Sequence, residues 1–250
     1  MTDANLMPAT GAPDNSKTAV RKHPGWLVPL GAFATTALLS GVLMLYYLGP
    51  RPTSFVREHP APTASKTLVV LSVGGVKFSI PANYIRYRNA QRGGVQSEVA
   101  LAAALPDFRG YSDADAQIFS GNATDSPIIY ILLHAEKLKL GELDRFRRIY
   151  LNYTVNRGGG PAQFGLTQYQ FREDSGYRGE DLFVGRLGTG LVVLRCVRMS
   201  SVTPSPSCLR ELRLAHHAAL SYRFKRSQLS RWREIASGVD ALIYSFMRGR

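Results

Sequence analysis

The sequence predicts an α+β protein in which a single N-terminal transmembrane helix precedes a strand-rich domain with about two packed helices. Three observations predict this class. Residues 25–48 form one apolar run, short β-rich runs recur after residue 67, and residues 140–153 and 227–246 space their apolar side chains three to four apart. That spacing is typical of amphipathic helices, and strands grouped without a regular alternation of helices are typical of α+β folds.

The apolar run from Gly25 to Leu48 contains no Asp, Glu, Lys, Arg or His. As a helix, its length of about 36 Å exceeds the roughly 30 Å of bilayer hydrocarbon. Trp26 at one end and Tyr46–Tyr47 at the other suit the headgroup region. A buried core helix and a cleaved signal peptide are alternatives, but both normally have shorter apolar stretches. The run therefore predicts a permanent span that contacts the lipid bilayer through residues 25–48.

Basic residues near the span favour one orientation. Three of them precede it (Lys17, Arg21, Lys22) and two follow it (Arg51, Arg57). This excess predicts a cytoplasmic amino end. The expected organisation is a disordered cytoplasmic tail at 1–24, the helix at 25–48, a Pro-rich linker at 49–66 and an extracytoplasmic α+β domain at 67–250. The expected location is a bacterial inner membrane, with the C-terminal domain in the periplasm.

The domain begins with a predicted β-hairpin, residues 67–73 and 76–80, around Gly74-Gly75. Residues 96–105 fit a strand or a short helix, and 106–125 fit a loop with one helical turn. The apolar stretch at 126–134 predicts a strand covered on both faces. After the helix at 140–153, further strands are expected at 166–172, 182–186, 190–197 and 209–224, the last one interrupted. A helix at 227–246 ends the domain.

The two cysteines, Cys196 and Cys208, flank a loop within a strand–loop–strand pattern. A disulfide between them would add about 3 kcal/mol of stability in the chain-entropy model. Disulfides persist outside the cytoplasm, which agrees with the predicted topology. Two unrelated buried thiols are the alternative.

Charge provides the main indication of partners. Lys and Arg outnumber Asp and Glu by 31 to 18, for a net charge of +13. Such a balance favours anionic partners. Because the domain is predicted to lie outside the cytoplasm, the expected partner is an anionic lipid or a cell-wall polymer and not nucleic acid. The alternative is a solvated face that only keeps the domain soluble. The residues predicted to form an anion-binding surface are Arg210, Arg213, Arg223, Arg226, Arg231 and Arg233.

No pattern of residues predicts a reaction. The sequence lacks a nucleophile elbow, a phosphate-binding glycine loop and a zincin motif, and its histidines lack metal-ligand spacing. We therefore assign no catalytic residue, metal ligand or cofactor. Within the span, Ala37 and Gly41 stand four apart, a spacing that permits close contact between helices. This spacing motivates the hypothesis of a homodimer or another protein partner.

Several short blocks resemble one family. They are IPANYIR (80–86), PDFRGYS (106–112), LRC (194–196), CLR (208–210) and LSYRF (220–224), followed by Leu229 and Trp232. They resemble uncharacterised alphaproteobacterial proteins that are periplasmic and anchored by a single membrane span. The resemblance implies bacterial origin and this topology, but no activity.

Together these observations predict a membrane-anchored interaction or accessory protein of the cell envelope with a basic surface. Two alternatives remain open. One is a subunit of an envelope secretion or assembly complex, and the other is a periplasmic hydrolase whose site is not visible in the sequence.

Overall fold

The computed structural model describes residues 25–48, 59–136, 140–215 and 217–248. Chain contacts divide the protein into two units, Met1–Arg57 and Glu58–Arg250. The predicted tail at 1–24 and most of the predicted linker, 49–58, lie outside the described residues.

Helix α1 spans Leu27–Leu48 and contains no acidic or basic side chain. Its stretch Leu27–Tyr47 is long and apolar enough to cross a membrane. The hydroxyls of Thr35 and Thr36 donate to the carbonyls of Gly31 and Ala32, four residues earlier, at 3.0 and 2.8 Å. Both hydroxyls are therefore satisfied within the helix, as the interior of a bilayer requires.

A small sheet opens the second unit. Its strands β1 (Leu68–Val73) and β2 (Val76–Pro81) form the predicted hairpin, and β3 (Gly94–Gln96) runs parallel to β1. Gly74 and Gly75 have φ angles of 57° and 83°, the left-handed values that a two-residue hairpin turn requires. Local sequence chemistry is therefore sufficient to define this hairpin.

A second, eight-stranded sheet is entirely antiparallel, with the order β4-β5-β11-β10-β9-β8-β7-β6. Its members are β4 (Glu98–Ala104), β5 (Ile128–His134), β6 (Gly160–Pro161), β7 (Thr167–Gln170), β8 (Glu180–Leu187), β9 (Gly190–Val197), β10 (Ser207–Ala215) and β11 (Ala218–Lys225). The predicted interrupted strand at 209–224 is thus a hairpin of two strands. The ambiguous segment at 96–105 is a strand.

Three helices accompany the sheets, where the sequence predicts about two: α2 (Ala116–Ser120), α3 (Glu142–Arg148) and α4 (Trp232–Arg248). The predicted helix at 140–153 ends early and continues as a 3₁₀ turn, Tyr150–Tyr153. The predicted helix at 227–246 also begins with a 3₁₀ turn, Arg226–Arg231. The α+β class is confirmed.

The main core lies between the two sheets around α4. This helix buries one stripe of side chains in a cluster with residues from both sheets: Trp232, Ile235, Val239, Ile243 and Phe246. On the opposite face of the large sheet, α3 and the turn after it pack Phe146 and Tyr150 over β7, β8 and β9. Phe119 of α2 covers β4 and β5. The large sheet therefore carries helices on both faces.

Residues 59–66, assigned to the linker by the sequence, hydrogen-bond to the domain. The Ala61 N–H donates to the Arg86 carbonyl at 2.8 Å, and Gln91 Nε2 donates to the Ala61 carbonyl at 3.0 Å. The ordered contacts of the domain therefore begin before β1.

Candidate functional site

The six arginines predicted to form an anion-binding surface do not share one surface. Arg210 is only 5% exposed, so its assignment to a surface is wrong. Arg231 bonds Glu234 at 2.6 and 2.9 Å, one turn further along the chain. Arg213 and Arg223 are exposed and have no ion-pair partner within the described ranges. Arg226 and Arg233 form hydrogen bonds beside a groove that is described below.

Arg210 is buried because it serves the core. Its guanidinium donates to both oxygens of Glu142 at 2.9 and 3.0 Å, and to the Tyr222 hydroxyl at 3.3 Å. Asp240 of α4 lies 3.7 Å from the same guanidinium. Burial raises the pKa of Tyr222 to about 12, although Arg210 opposes that shift. Burial also raises the pKa of Asp240. This cluster ties α3, β10, β11 and α4 together.

The same cluster fills a gap in the large sheet. Strands β9 and β10 pair only at Cys208 with Cys196 and at Leu209 with Arg195. Beyond these pairs, Glu142 accepts the backbone N–H of Val193 at 2.6 Å. Arg145 bonds both the backbone carbonyl and the carboxylate of Glu211. The side chains of α3 therefore replace ladder hydrogen bonds that the separated strands cannot make.

A second buried carboxylate positions Arg226. Asp181, 5% exposed, accepts from Arg198 Nε at 3.0 Å and from Arg226 Nη2 at 2.7 Å. Arg226 Nη1 also donates to the Val197 carbonyl at 2.9 Å. These bonds fix the start of the 3₁₀ turn Arg226–Arg231 against the ends of β8 and β9.

Close to this turn, Phe164 adopts an unusual backbone conformation. Its φ is 62° and its ψ is 21°, in the left-handed region that bulky residues rarely occupy. The carbonyl of Phe164 accepts hydrogen bonds from Trp232 Nε1 and Arg233 Nη1, both at 3.0 Å. Trp232 is buried in the core, and the Arg233 guanidinium stacks on its ring at 4.5 Å. The core and α4 thus hold the Phe164 loop in a fixed position.

The side chain of Phe164, 44% exposed, lies at the rim of an open groove of about 780 Å³. Among the described residues, Arg226 is the one ionisable side chain that lines this groove, and it is already paired with Asp181. The other lining groups are apolar side chains, amides and hydroxyls, among them Pro161, Phe183, Leu229, Gln163, Gln168 and Ser230. A smaller depression of about 320 Å³, bordered by the exposed Val155, adjoins it and shares Pro161 and Gln168. Together the two hollows flank the edge strand β6.

The sequence did not single out Phe164. Two features of the sequence indicate this position. Phe164 is an aromatic residue inside a loop, and turn residues lie on both sides of it: Gly158-Gly159-Gly160-Pro161 before and Gly165 after. Gly165 also has a positive φ, 71°. The hydrogen bonds from Trp232 and Arg233 that define the conformation of the loop come from nearly 70 residues away, beyond the reach of a local pattern.

Acidic and histidine side chains do not gather in this groove. Across the described residues, no group of three or more His, Cys, Asp or Glu could hold a metal ion. His134 Nδ1, at the end of β5, lies 3.1 Å from the Glu136 carboxylate two residues later. The arrangement around Phe164 can therefore bind apolar groups and accept or donate neutral hydrogen bonds.

The remaining predicted residues lie elsewhere. A disulfide joins Cys196 to Cys208 across β9 and β10, and both cysteines are fully buried in the main core. Ala37 and Gly41 lie one turn apart on α1, where Ala37 is exposed and a methyl group added at Gly41 would meet no atom within 4 Å. Self-association through these two residues stays a prediction.

Comparison with known proteins gives a likeness of fold. No protein-family model and no curated protein sequence matches the chain. A solved structure, an immunity protein of the type IV secretion system of Stenotrophomonas maltophilia, aligns with a TM-score of 0.53 at 17% identity. The alignment covers 73% of this chain and 94% of that one. At this identity the likeness concerns the fold.

Proposed function

We propose that the chain is a membrane-anchored accessory protein of the bacterial envelope whose domain binds another protein through the groove beside Phe164. One observation carries the proposal: a half-exposed aromatic side chain is held in a left-handed conformation by hydrogen bonds from Trp232 and Arg233. Backbone strain of this kind costs on the order of 1–3 kcal/mol and is common at binding sites.

A protein suits this groove as a partner. The groove is open to solvent, and exposed aromatic side chains are frequent hot spots in protein interfaces. Because Trp232 and Arg233 fix the loop beforehand, ordering Phe164 on binding would cost little entropy. The polar lining groups can bond the backbone of an inserted loop.

The proposed location follows from the span and the cysteines. Helix α1 is apolar enough to cross a membrane, and the disulfide is typical of oxidising compartments. The basic residues before the span favour a cytoplasmic amino end. We therefore place the domain in the periplasm of a bacterium, anchored in the inner membrane.

The fold likeness supports a narrower form of the proposal. The similar structure is an immunity protein of a type IV secretion system, so this chain would bind and neutralise a protein delivered to the envelope. A resident subunit of a secretion complex is the alternative form. The neutralising form predicts a partner that harms cells lacking this chain. The resident-subunit form predicts a partner that co-purifies with this chain in fixed stoichiometry from cells that have not met another protein delivered to them.

The test uses the full-length protein in mild detergent, with a photo-crosslinking residue placed beside the groove at Ser230. We expect one protein, identified by mass spectrometry of the crosslinked product, to crosslink to the wild-type chain. The affinity of the Phe164→Ala variant for that protein should be roughly 30-fold lower, since hot-spot truncations cost about 2 kcal/mol. Val202→Ala is the matched control, because Val202 is an exposed side chain that does not line the groove. Equal affinity of wild type and Phe164→Ala would refute the assignment of the groove.

A further inference from the structure

The outer face of the small sheet exposes three aliphatic side chains. Leu68 is 54% exposed, Val70 is 64% and Val95 is 89%. In the register, Ser72 of β1 pairs with Lys77 of β2 on one side and with Val95 of β3 on the other. Since opposed residues point to the same face and side chains alternate along a strand, all three aliphatic groups share the face of Lys77.

Packing within the domain does not account for these groups. The opposite face of the same sheet already supplies the core with Leu71, Val73, Phe78 and Ile80. A sheet with one buried face and one solvated face normally has polar side chains on the solvated one. Val70 and Val95 are diagonal neighbours in this register, so their exposed side chains lie on adjacent strands of the same face.

The segment that contains this sheet carries formal charge of a single sign. Residues 59–97, which include the whole small sheet, contain no Asp or Glu and five basic residues: Lys66, Lys77, Arg86, Arg88 and Arg92. Lys66 and Lys77 are exposed, and Lys77 lies in the same row of the sheet as Val95. A surface that combines exposed aliphatic groups with exposed lysines complements an anionic lipid surface.

The chain enters the domain ahead of this sheet, where Pro60 and Pro62 line a small pocket with Tyr84, Ala102 and Tyr130. Ten residues, 49–58, separate the end of α1 from the first described residue of the domain. Even fully extended, that stretch spans at most about 40 Å. If α1 crosses a bilayer, the tether therefore keeps the whole domain close to lipid, and a weak affinity of one of its faces is sufficient for contact.

We propose that the outer face of the small sheet lies on the anionic headgroups of the membrane that anchors the chain. Val95, Val70 and Leu68 enter the interfacial region, while Lys66 and Lys77 face the headgroups. Because the Phe164 groove is built from other elements, this contact is independent of the protein partner and can be tested without it.

The experiment uses full-length protein in nanodiscs. Both native cysteines are in the disulfide, so a single introduced cysteine can be labelled with an environment-sensitive dye. Val95→Cys reports on the outer face of the small sheet, and Val202→Cys is the matched control, because both valines are 89% exposed. In phosphatidylglycerol-containing nanodiscs we expect blue-shifted emission at position 95 and water-like emission at position 202.

Charge reversal tests the electrostatic part. Each basic residue near an anionic surface contributes about a fivefold change in binding, so Lys66→Glu with Lys77→Glu should largely return the emission at position 95 to its value in water. Nanodiscs of phosphatidylcholine alone should give a smaller shift than anionic ones.

Two results would overturn the proposal. One is water-like emission at position 95 in anionic nanodiscs. The other is a blue shift that persists in neutral detergent and grows with protein concentration, since a second copy of the chain would then cover this face.

Discussion

The Glu142 carboxylate and the Arg210 guanidinium, separated by 68 residues, form a two-pronged ion pair with N–O distances of 2.9 and 3.0 Å. Their side chains are only 13% and 6% exposed. The same carboxylate accepts the Val193 N–H, so one side chain links α3 to both β9 and β10 where these strands part. The arginine that the sequence assigned to a binding surface is therefore a structural element.

Glu142→Gln should lower the free energy of unfolding by about 3 kcal/mol or more, because Arg210 would keep a buried charge without its partner. Urea unfolding followed by the fluorescence of the buried Trp232 measures this loss. Asp144→Asn on the same helix is the control, since its pair with Arg148 is exposed and 3.7 Å long. That change should cost less than about 1 kcal/mol. Equal midpoints for the two variants would contradict the structural role.

Reduction of the Cys196–Cys208 disulfide should cost about 3 kcal/mol, the value expected for a loop closed by residues 12 apart. Cys196→Ser with Cys208→Ser should cost at least as much, since two buried core positions become polar. Urea midpoints with and without reductant give the comparison. A reductant effect that survives in the double variant would show that the loss does not come from this bond.

Gly185→Ala should destabilise the domain by roughly 1–3 kcal/mol through overpacking. A Cβ atom at this position would lie 2.4 Å from the Trp232 ring and 2.9 Å from Leu166. Because Trp232 also donates to the Phe164 carbonyl, the variant should weaken partner binding at the groove as well. Gly190→Ala is the control, since its nearest atom is 3.5 Å away. A stable Gly185→Ala variant with full binding would contradict the packing described.

Acid should weaken the domain through Asp115. Hydrogen bonds from Arg109, and then from Ser112, lower the pKa of Asp115 to about 2. A carboxyl whose pKa is lower in the folded chain contributes stability that is complete above its unfolded pKa, near 4, and is lost as the pH falls towards 2. The stability difference between wild type and Asp115→Asn should therefore shrink between pH 5 and pH 2. Asp113→Asn serves as the control, and a difference that does not vary with pH would refute the assignment.

Gly41→Leu should reduce self-association of α1, since a large side chain prevents close approach at the Ala37–Gly41 spacing. Chemical crosslinking in membranes should give less dimer than wild type. Val42→Leu, on a different side of the helix, should leave the dimer unchanged. Absence of a dimer in the wild-type protein would contradict the prediction that α1 self-associates.

Local signals determined much of this protein. An uncharged apolar run specifies α1, Gly74-Gly75 specifies the first hairpin, and apolar spacing specifies the stripe of α4. Each depends on residues within a few positions of one another, where backbone geometry and side-chain periodicity act directly. The same signals placed helix ends poorly. Helix α3 ends at Arg148 and helix α4 begins at Trp232, whereas the apolar spacing predicted longer helices.

Tertiary structure alone decided the roles of the charged residues and the position of the groove. The sequence showed a basic segment, but not that Arg210 would meet Glu142, that Arg226 would meet Asp181, or that Arg213 would remain exposed. Those outcomes depend on which strands become neighbours, and strand order joins residues far apart in the chain. The physical reason is that the residue type alone gives a side chain its charge, whereas its ion-pair partner and its burial depend on how distant segments of the chain pack.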